Sequence, residues 1–252
     1  MPETGDYTFR AMYFRASLAF LAVALAAWAA PVRAGPPDGE YLDGGTSKVG
    51  VILVHGRFGG RGDARSPVVN PLRIALHKRL GVHTLSIEYP QSGRSRSAAD
   101  EEANFPAAYE RLDAAIRFLA AEKGATRIYV MGHSLGTRIT TAYLARNAVP
   151  GLAGYIGVGV IGGTVGCQDR EDDTLNTKCN LNAILQKVPA LPILDVVADA
   201  EPNDVRFANR RTDLVSPTYK QVRVAGADHR FLSKEGEMLD IVTAWLKEQA
   251  AP

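Results

Sequence analysis

The chain has 252 residues, 29 of them Lys or Arg and 27 Asp or Glu, for a formal net charge of +2. With 46% apolar and 22% charged residues it has the composition of a folded globular chain, which excludes a disordered protein. The basic residues are scattered among acids rather than gathered in a block, so no nucleic-acid partner is expected. The length admits one large domain or two small ones, with a substantial core.

Ala16 to Ala30 is an uncharged, mostly apolar run of 15 residues, preceded by Arg10 and Arg15 and followed by Pro31-Val32-Arg33-Ala34. A positive segment, an apolar segment and small residues before a cut make residues 1–34 a signal peptide, cleaved after Ala34. The run is shorter than the ~20 residues a bilayer span needs, so no stable membrane span is expected once the leader is removed. The remaining domain, 35–252, is then secreted or periplasmic. Both cysteines, Cys167 and Cys179, fall in that exported part, and an oxidising compartment favours a disulfide between them. No CxxC or His-rich companion points to a metal.

Gly35 to Ser47 is rich in Gly, Pro and Asp and reads as an irregular lead-in. Val49–Val54 is a continuous apolar run, as in a strand buried on both faces. A Gly-rich loop follows, then a helix opening at Pro71-Leu72 and a strand over Val82–Ile87. Phe105 to Lys123 carries Ala108, Leu112, Ala115, Ile116 and Leu119 on one helical face, and Gly124 ends it. Strand Arg127–Met131, helix Leu135–Arg146, strands Tyr155–Ile161, Pro192–Val197 and Gln221–Val224, and a closing helix Glu237–Glu248 complete the pattern. Strands alternating with helices predict an α/β fold: a doubly wound, mostly parallel sheet of about six strands with helices on both faces. The polar stretch 162–187 breaks the alternation and reads as an inserted, lid-like segment.

Gly132-His133-Ser134-Leu135-Gly136 matches G-x-S-x-G, between a strand and a helical pattern. The chemistry requires a tight strand-to-helix turn that exposes the Ser134 hydroxyl. Glycine is needed on either side because a side chain would collide as strand and helix close together. The helix N-terminus behind Ser134 also favours developing negative charge.

With these residues in place the chain resembles the α/β-hydrolase superfamily over most of residues 49–248. Three landmarks carry the likeness in order: Val54-His55-Gly56 at the end of an early strand, the Gly132–Gly136 turn, and His229 after a late short strand. The two leading strands usual in the superfamily are reduced or missing, since only Gly35–Lys48 precedes the first clear strand. The resemblance implies a Ser–acid–His triad in that chain order, with Ser134 as nucleophile and His229, which follows the last strand, as base. It implies an oxyanion hole from the backbone N–H of Leu135 and of Arg57, with Phe58 the alternative to Arg57. His133 belongs to the elbow and points elsewhere, His55 orders its own loop, and His77 and His83 are structural. The acid should follow the strand Pro192–Val197. Glu201, in Ala198-Asp199-Ala200-Glu201-Pro202, is chosen and Asp199 is the alternative. Asp204 reads as the cap of a following helix and Asp195 as a strand residue at a solvated edge or with a structural partner. Asp169 and Glu171 are more distant candidates.

The function these residues imply is cleavage of a carboxylic ester, small or lipid-like, through an acyl-enzyme on Ser134, with no cofactor and no metal. An amidase, peptidase or acyltransferase on the same triad stays open, as does a non-catalytic binding protein on the same scaffold. Oligomeric state is not legible.

Overall fold

The apolar run Val49–Val54 is strand β2, every residue of which is buried. The computed structural model describes residues 36–57, 66–90, 102–162 and 176–250. The chain divides into two units, Met1–Ala34, which lies outside the described residues, and Gly35–Pro252. The leader expected over 1–34 therefore lies outside the described residues.

Among the described residues seven strands form one sheet: β1 (Gly39–Leu42), β2, β3 (His83–Ile87), β4 (Arg127–His133), β5 (Leu152–Val158), β6 (Ile193–Ala198) and β7 (Tyr219–Val224). Their order is β1-β3-β2-β4-β5-β6-β7. Every pair is parallel except β1 with β3, where Gly39 faces Ile87 and Leu42 faces Thr84. Parallel neighbours need crossovers, and the helices supply them. Among the described residues they are α1 (Val69–Leu80), α2 (Phe105–Arg117), α3 (Leu135–Arg146), α4 (Thr177–Lys187), α5 (Pro202–Asn209) and α6 (Glu235–Ala250). No helix among the described residues is long and apolar enough to cross a membrane.

The period of two along each strand divides the core between the two faces. Ile52 and Val54 pack with Leu112, Ile139, Leu181 and Ile184, from α2, α3 and α4. Val51 and Leu53 point the other way, among Leu72, Leu76, Val242 and Leu246 of α1 and α6. Each such side chain, fully buried, contributes about 1.5–3 kcal/mol.

Four expectations change. The sheet has a seventh strand, β1, inside the expected lead-in. It has no apolar run because it is an edge strand, held by ladder bonds to β3 and by the Tyr41 hydroxyl 2.8 Å from His83 Nδ1. The helix starting at Phe105 does not run on unchanged to Lys123: after Arg117 it widens into a π turn, Phe118–Glu122, closed by Lys123 N–H on the Phe118 carbonyl at 3.2 Å. Strand β5 ends at Val158, three residues before the expected Ile161, because the backbone turns at Gly159 with φ of 56°. Lastly, 177–187 is not lid-like. It is α4, which buries Leu181 and Ile184 against the sheet and serves as the crossover from β5 to β6. Cys167, Asp169 and Glu171 lie outside the described residues. Cys179 stands in the first turn of α4, its N–H donated to the N-cap side chain of Asn176 at 3.2 Å.

Candidate active site

From β2 the chain crosses to β3 on one side and from β3 returns to β4 on the other, so the sheet order reverses between β2 and β4. The loops after parallel strands diverge at such a point and leave a crevice. Ser134 stands there, directly after β4. Its backbone has φ of 52° and ψ of −119°, a conformation that costs a non-glycine residue about 1–3 kcal/mol. Neighbours hold it. Ser134 N–H donates to the Val158 carbonyl at 3.2 Å, and the Ser134 carbonyl accepts from Thr137 N–H at 2.9 Å and Thr137 Oγ1 at 2.6 Å. A Cβ on Gly136 would lie 2.2 Å from the Val54 carbonyl oxygen, so this turn of α3 can meet β2 only as glycine.

His229 sits in the loop between β7 and α6. Its Nε2 is 2.8 Å from Ser134 Oγ, and its Nδ1 is 2.9 and 3.0 Å from the two oxygens of Asp204. A carboxylate only accepts, so Nδ1 carries the hydrogen and Nε2 is left to accept the serine hydroxyl. Asp204 is 2% exposed, and Gly159 backs the pair: a Cβ there would lie 3.2 Å from Asp204 Oδ2 and from the His229 ring. Burial works against the charged form of His229, but the hydrogen bond to Asp204, with the charges of Asp204, Glu201 and Asp228, outweighs it and raises the pKa above 6.5. Burial raises the Asp204 carboxyl above its ordinary 3.8, exceeding the downward pull of His229.

The expected acid is therefore corrected. The partner of His229 Nδ1 is Asp204, not Glu201 or Asp199. Pro202 starts α5 at once, which leaves Glu201 as an extended N-cap residue and turns Asp204, in the first helical turn, toward the imidazole. Asp199 pairs instead with Arg223 at 3.3 Å on the surface. Asp195 has the structural partner allowed for it. It is buried in β6 and accepts from Arg211 at 2.9 Å, Tyr219 at 3.0 Å and Gln221 at 3.0 Å. Glu201 still borders the site, with Arg138, Ile161, Asn203 and Phe207, around a cavity of about 270 Å³ that reaches His229.

Leu135 opens α3, where a first-turn N–H has no partner within its own helix. On the facing side Gly56 follows β2, and a Cβ there would lie 2.9 Å from Ser134 Cβ. Arg57 is the next residue in the chain, while Phe58 lies outside the described residues. His55 stacks on Tyr89 with ring centroids 4.4 Å apart, and its Nδ1 is 2.8 Å from the Gly56 carbonyl, so it orders its own loop. His77 and His83 bond backbone carbonyls, of Val82 and Ser47, at 3.2 Å each. His133 departs from expectation: its ring lies beside His229 instead of pointing away. No group of three metal-ligating side chains occurs among the described residues.

A family model described as alpha/beta hydrolase fold matches residues 50–160. A search of curated protein sequences finds no match. Among solved structures the chain is similar to an alpha-beta serine hydrolase homologue from Coxiella burnetii, at 21% identity and a TM-score of 0.57 over 79% of this chain and 86% of that one. It is similar to XC6422 from Xanthomonas campestris, an a/b serine hydrolase without lid, at 17% identity and a TM-score of 0.59 over 84% and 86%. Est1E from Butyrivibrio proteoclasticus, solved with ferulic acid, is similar at 16% identity and a TM-score of 0.56 over 82% and 92%. The chain has the α/β-hydrolase fold.

Proposed function

We propose that the protein is a serine hydrolase that cleaves a carboxylic ester through an acyl-enzyme on Ser134. One observation carries this reading: the unbroken hydrogen-bonded chain from Ser134 Oγ through His229 to Asp204. A serine hydroxyl is a weak nucleophile until an adjacent base removes its proton. As Oγ bonds to the ester carbonyl carbon, His229 Nε2 takes the proton, and Asp204 stabilises the imidazolium and holds its tautomer. The carbonyl oxygen becomes an oxyanion, received by the N–H groups of Leu135 and Arg57. When the tetrahedral intermediate collapses, the ester C–O bond breaks and the imidazolium protonates the departing alkoxide. Water, deprotonated by His229, then releases the acid and restores Ser134. That the similar solved structures include the esterase domain of a Rhodothermus marinus protein favours the ester over other acyl substrates. Asp204 takes the acid's role in place of Glu201, with Ser134 and His229 as the sequence has them.

Labelling with a fluorophosphonate, followed by peptide mapping, tests the nucleophile. Modification at Ser134, absent in Ser134→Ala, is expected, and a folded protein that stays unlabelled is a binding protein instead. A panel of p-nitrophenyl esters with a matched anilide tests the bond, and faster anilide cleavage would replace esterase by amidase. We also propose that it acts after export, on the strength of the leader pattern alone; intact mass of the exported chain should correspond to a start at Gly35.

A further inference from the structure

His133 is the last residue of β4 and is 6% exposed. Its Nε2 lies 3.1 Å from the main-chain carbonyl oxygen of His229, and the two imidazole centroids are 5.3 Å apart with planes inclined 34°. A carbonyl oxygen only accepts, so Nε2 carries the hydrogen. On the opposite side, His133 Nδ1 lies 3.1 Å from where a Cβ of Gly56 would stand. The ring therefore fills the space between the end of β2 and the His229 loop.

That loop has its own internal ties. Phe231 N–H donates to the Asp228 carbonyl at 2.9 Å, and Leu232 N–H to the Asp228 side chain at 3.0 Å. Ala200 N–H reaches the Ala227 carbonyl at 3.0 Å. These shape the segment on either side of His229. Among the described residues, the bond from His133 is what joins the main chain of His229 to the strand that carries Ser134. We propose that His133 is a positioning residue: its Nε2–H fixes the His229 carbonyl, and so the base, in register with the nucleophile one peptide bond away. The proposal rests on the hydrolase reading for its consequence in turnover. Burial first, then the neighbouring imidazoles of His229 and His55, push the His133 pKa down to about 3, so the ring stays neutral near pH 7. A neutral ring puts no full charge beside a base that must become cationic. A base displaced by about 1 Å can lose 100-fold in rate, which sets the scale of the effect.

His133→Phe keeps the ring and removes the donor, while His133→Gln keeps an N–H donor at about the reach of Nε2. In the full chain, the Phe variant is expected to lose roughly 10- to 100-fold in kcat with KM changed less than about threefold. NMR titration of the His229 ring should show its midpoint falling toward the ordinary imidazole value as its grip on Asp204 loosens. The groups around that ring are Asp204, Glu201, Asp228 and His133. The Gln variant should recover kcat to within about fivefold of wild type, the lost bond being the larger effect. His133→Asn, too short to reach the carbonyl, makes the same comparison if the Phe variant does not fold. Wild-type kcat and an unmoved His229 titration in the Phe or Asn variant overturn the proposal, as does a Gln variant as impaired as Phe. If wild type neither turns over esters nor labels at Ser134, the hydrolase reading falls. The titration then decides the hold of His133 by itself: a lowered midpoint supports it and an unchanged one overturns it.

Discussion

Asp204 and Glu201 differ by three residues and by one consequence of helix geometry. Glu201, the N-cap, has an extended backbone and does not share the helical phase, whereas Asp204 in the first turn is buried on the core side. Asp204→Asn should therefore cut turnover near pH 7 by several orders of magnitude, because the amide can hold the imidazole in the wrong tautomer. Glu201→Gln should change turnover less than about tenfold. It should also lower the midpoint of the acid limb of kcat/KM, since the Glu201 charge is one of those that raise the His229 pKa. Steady-state kinetics of the two variants across pH 5–8 makes the comparison. If Glu201→Gln were the crippled variant, the acid would be misplaced. The sequence makes Ser134 and His229 legible because a motif and a loop position mark them. It does not mark the acid, whose identity depends on the residue at which α5 begins. His133 was illegible for another reason: its partner is a main-chain carbonyl, which leaves no trace in residue identity.

At the scale of elements, legibility follows burial. Strand β2 and helix α3 have the same bounds in the sequence pattern and in the structure, since a continuous apolar run and a glycine-flanked turn are strong local signals. Strand β1 and helix α5 carry neither. The first is four residues at an edge, and the second eight residues beginning with a proline. Helix α4 hides for a different reason: its polar surface and the acids before it resemble an insertion, yet Leu181 and Ile184 are anchored in the core. The expected bridge from Cys167 to Cys179 would fasten the segment before α4 to that anchored helix. Alkylation followed by intact-mass measurement of the unreduced protein should find no accessible thiol. Replacing both cysteines with serine should lower unfolding stability by about 2–4 kcal/mol, read by urea titration. Two thiols alkylated before reduction would remove the bridge.

The whole molecule should respond to acid through a buried histidine. The His133 pKa is about 3 in the folded protein against an ordinary 6.5. The group is depressed on folding, so its stabilising contribution is complete above pH 6.5 and declines as pH falls toward 3, where the unfolded chain takes up the proton first. The slope approaches 1.4 kcal/mol per pH unit once the unfolded histidine is mostly protonated. Asp204 acts in the opposite sense, because its raised carboxyl favours the folded state from its folded value downward. His229 is also raised, so its contribution is complete below 6.5 and is lost only above that. Chemical denaturation of wild type and His133→Gln between pH 6 and 5 isolates the term. The wild type should lose stability more steeply than the variant, and parallel curves would refute a buried neutral ring.

Gly136 meets the Val54 carbonyl so closely that the turn bearing the serine and strand β2 are in contact without side chains between them. A joint of that kind has no soft layer along which to part. The site then cannot breathe separately from the sheet: exposing the Ser134 amide, bonded to Val158, means separating β4 from β5. Native-state hydrogen exchange reads this directly. The amides of Ser134 and of the β4 strand should exchange in one cooperative unit, with the same denaturant dependence as global unfolding. Exchange of Ser134 at a lower free energy, insensitive to denaturant, would mean that the elbow opens by itself.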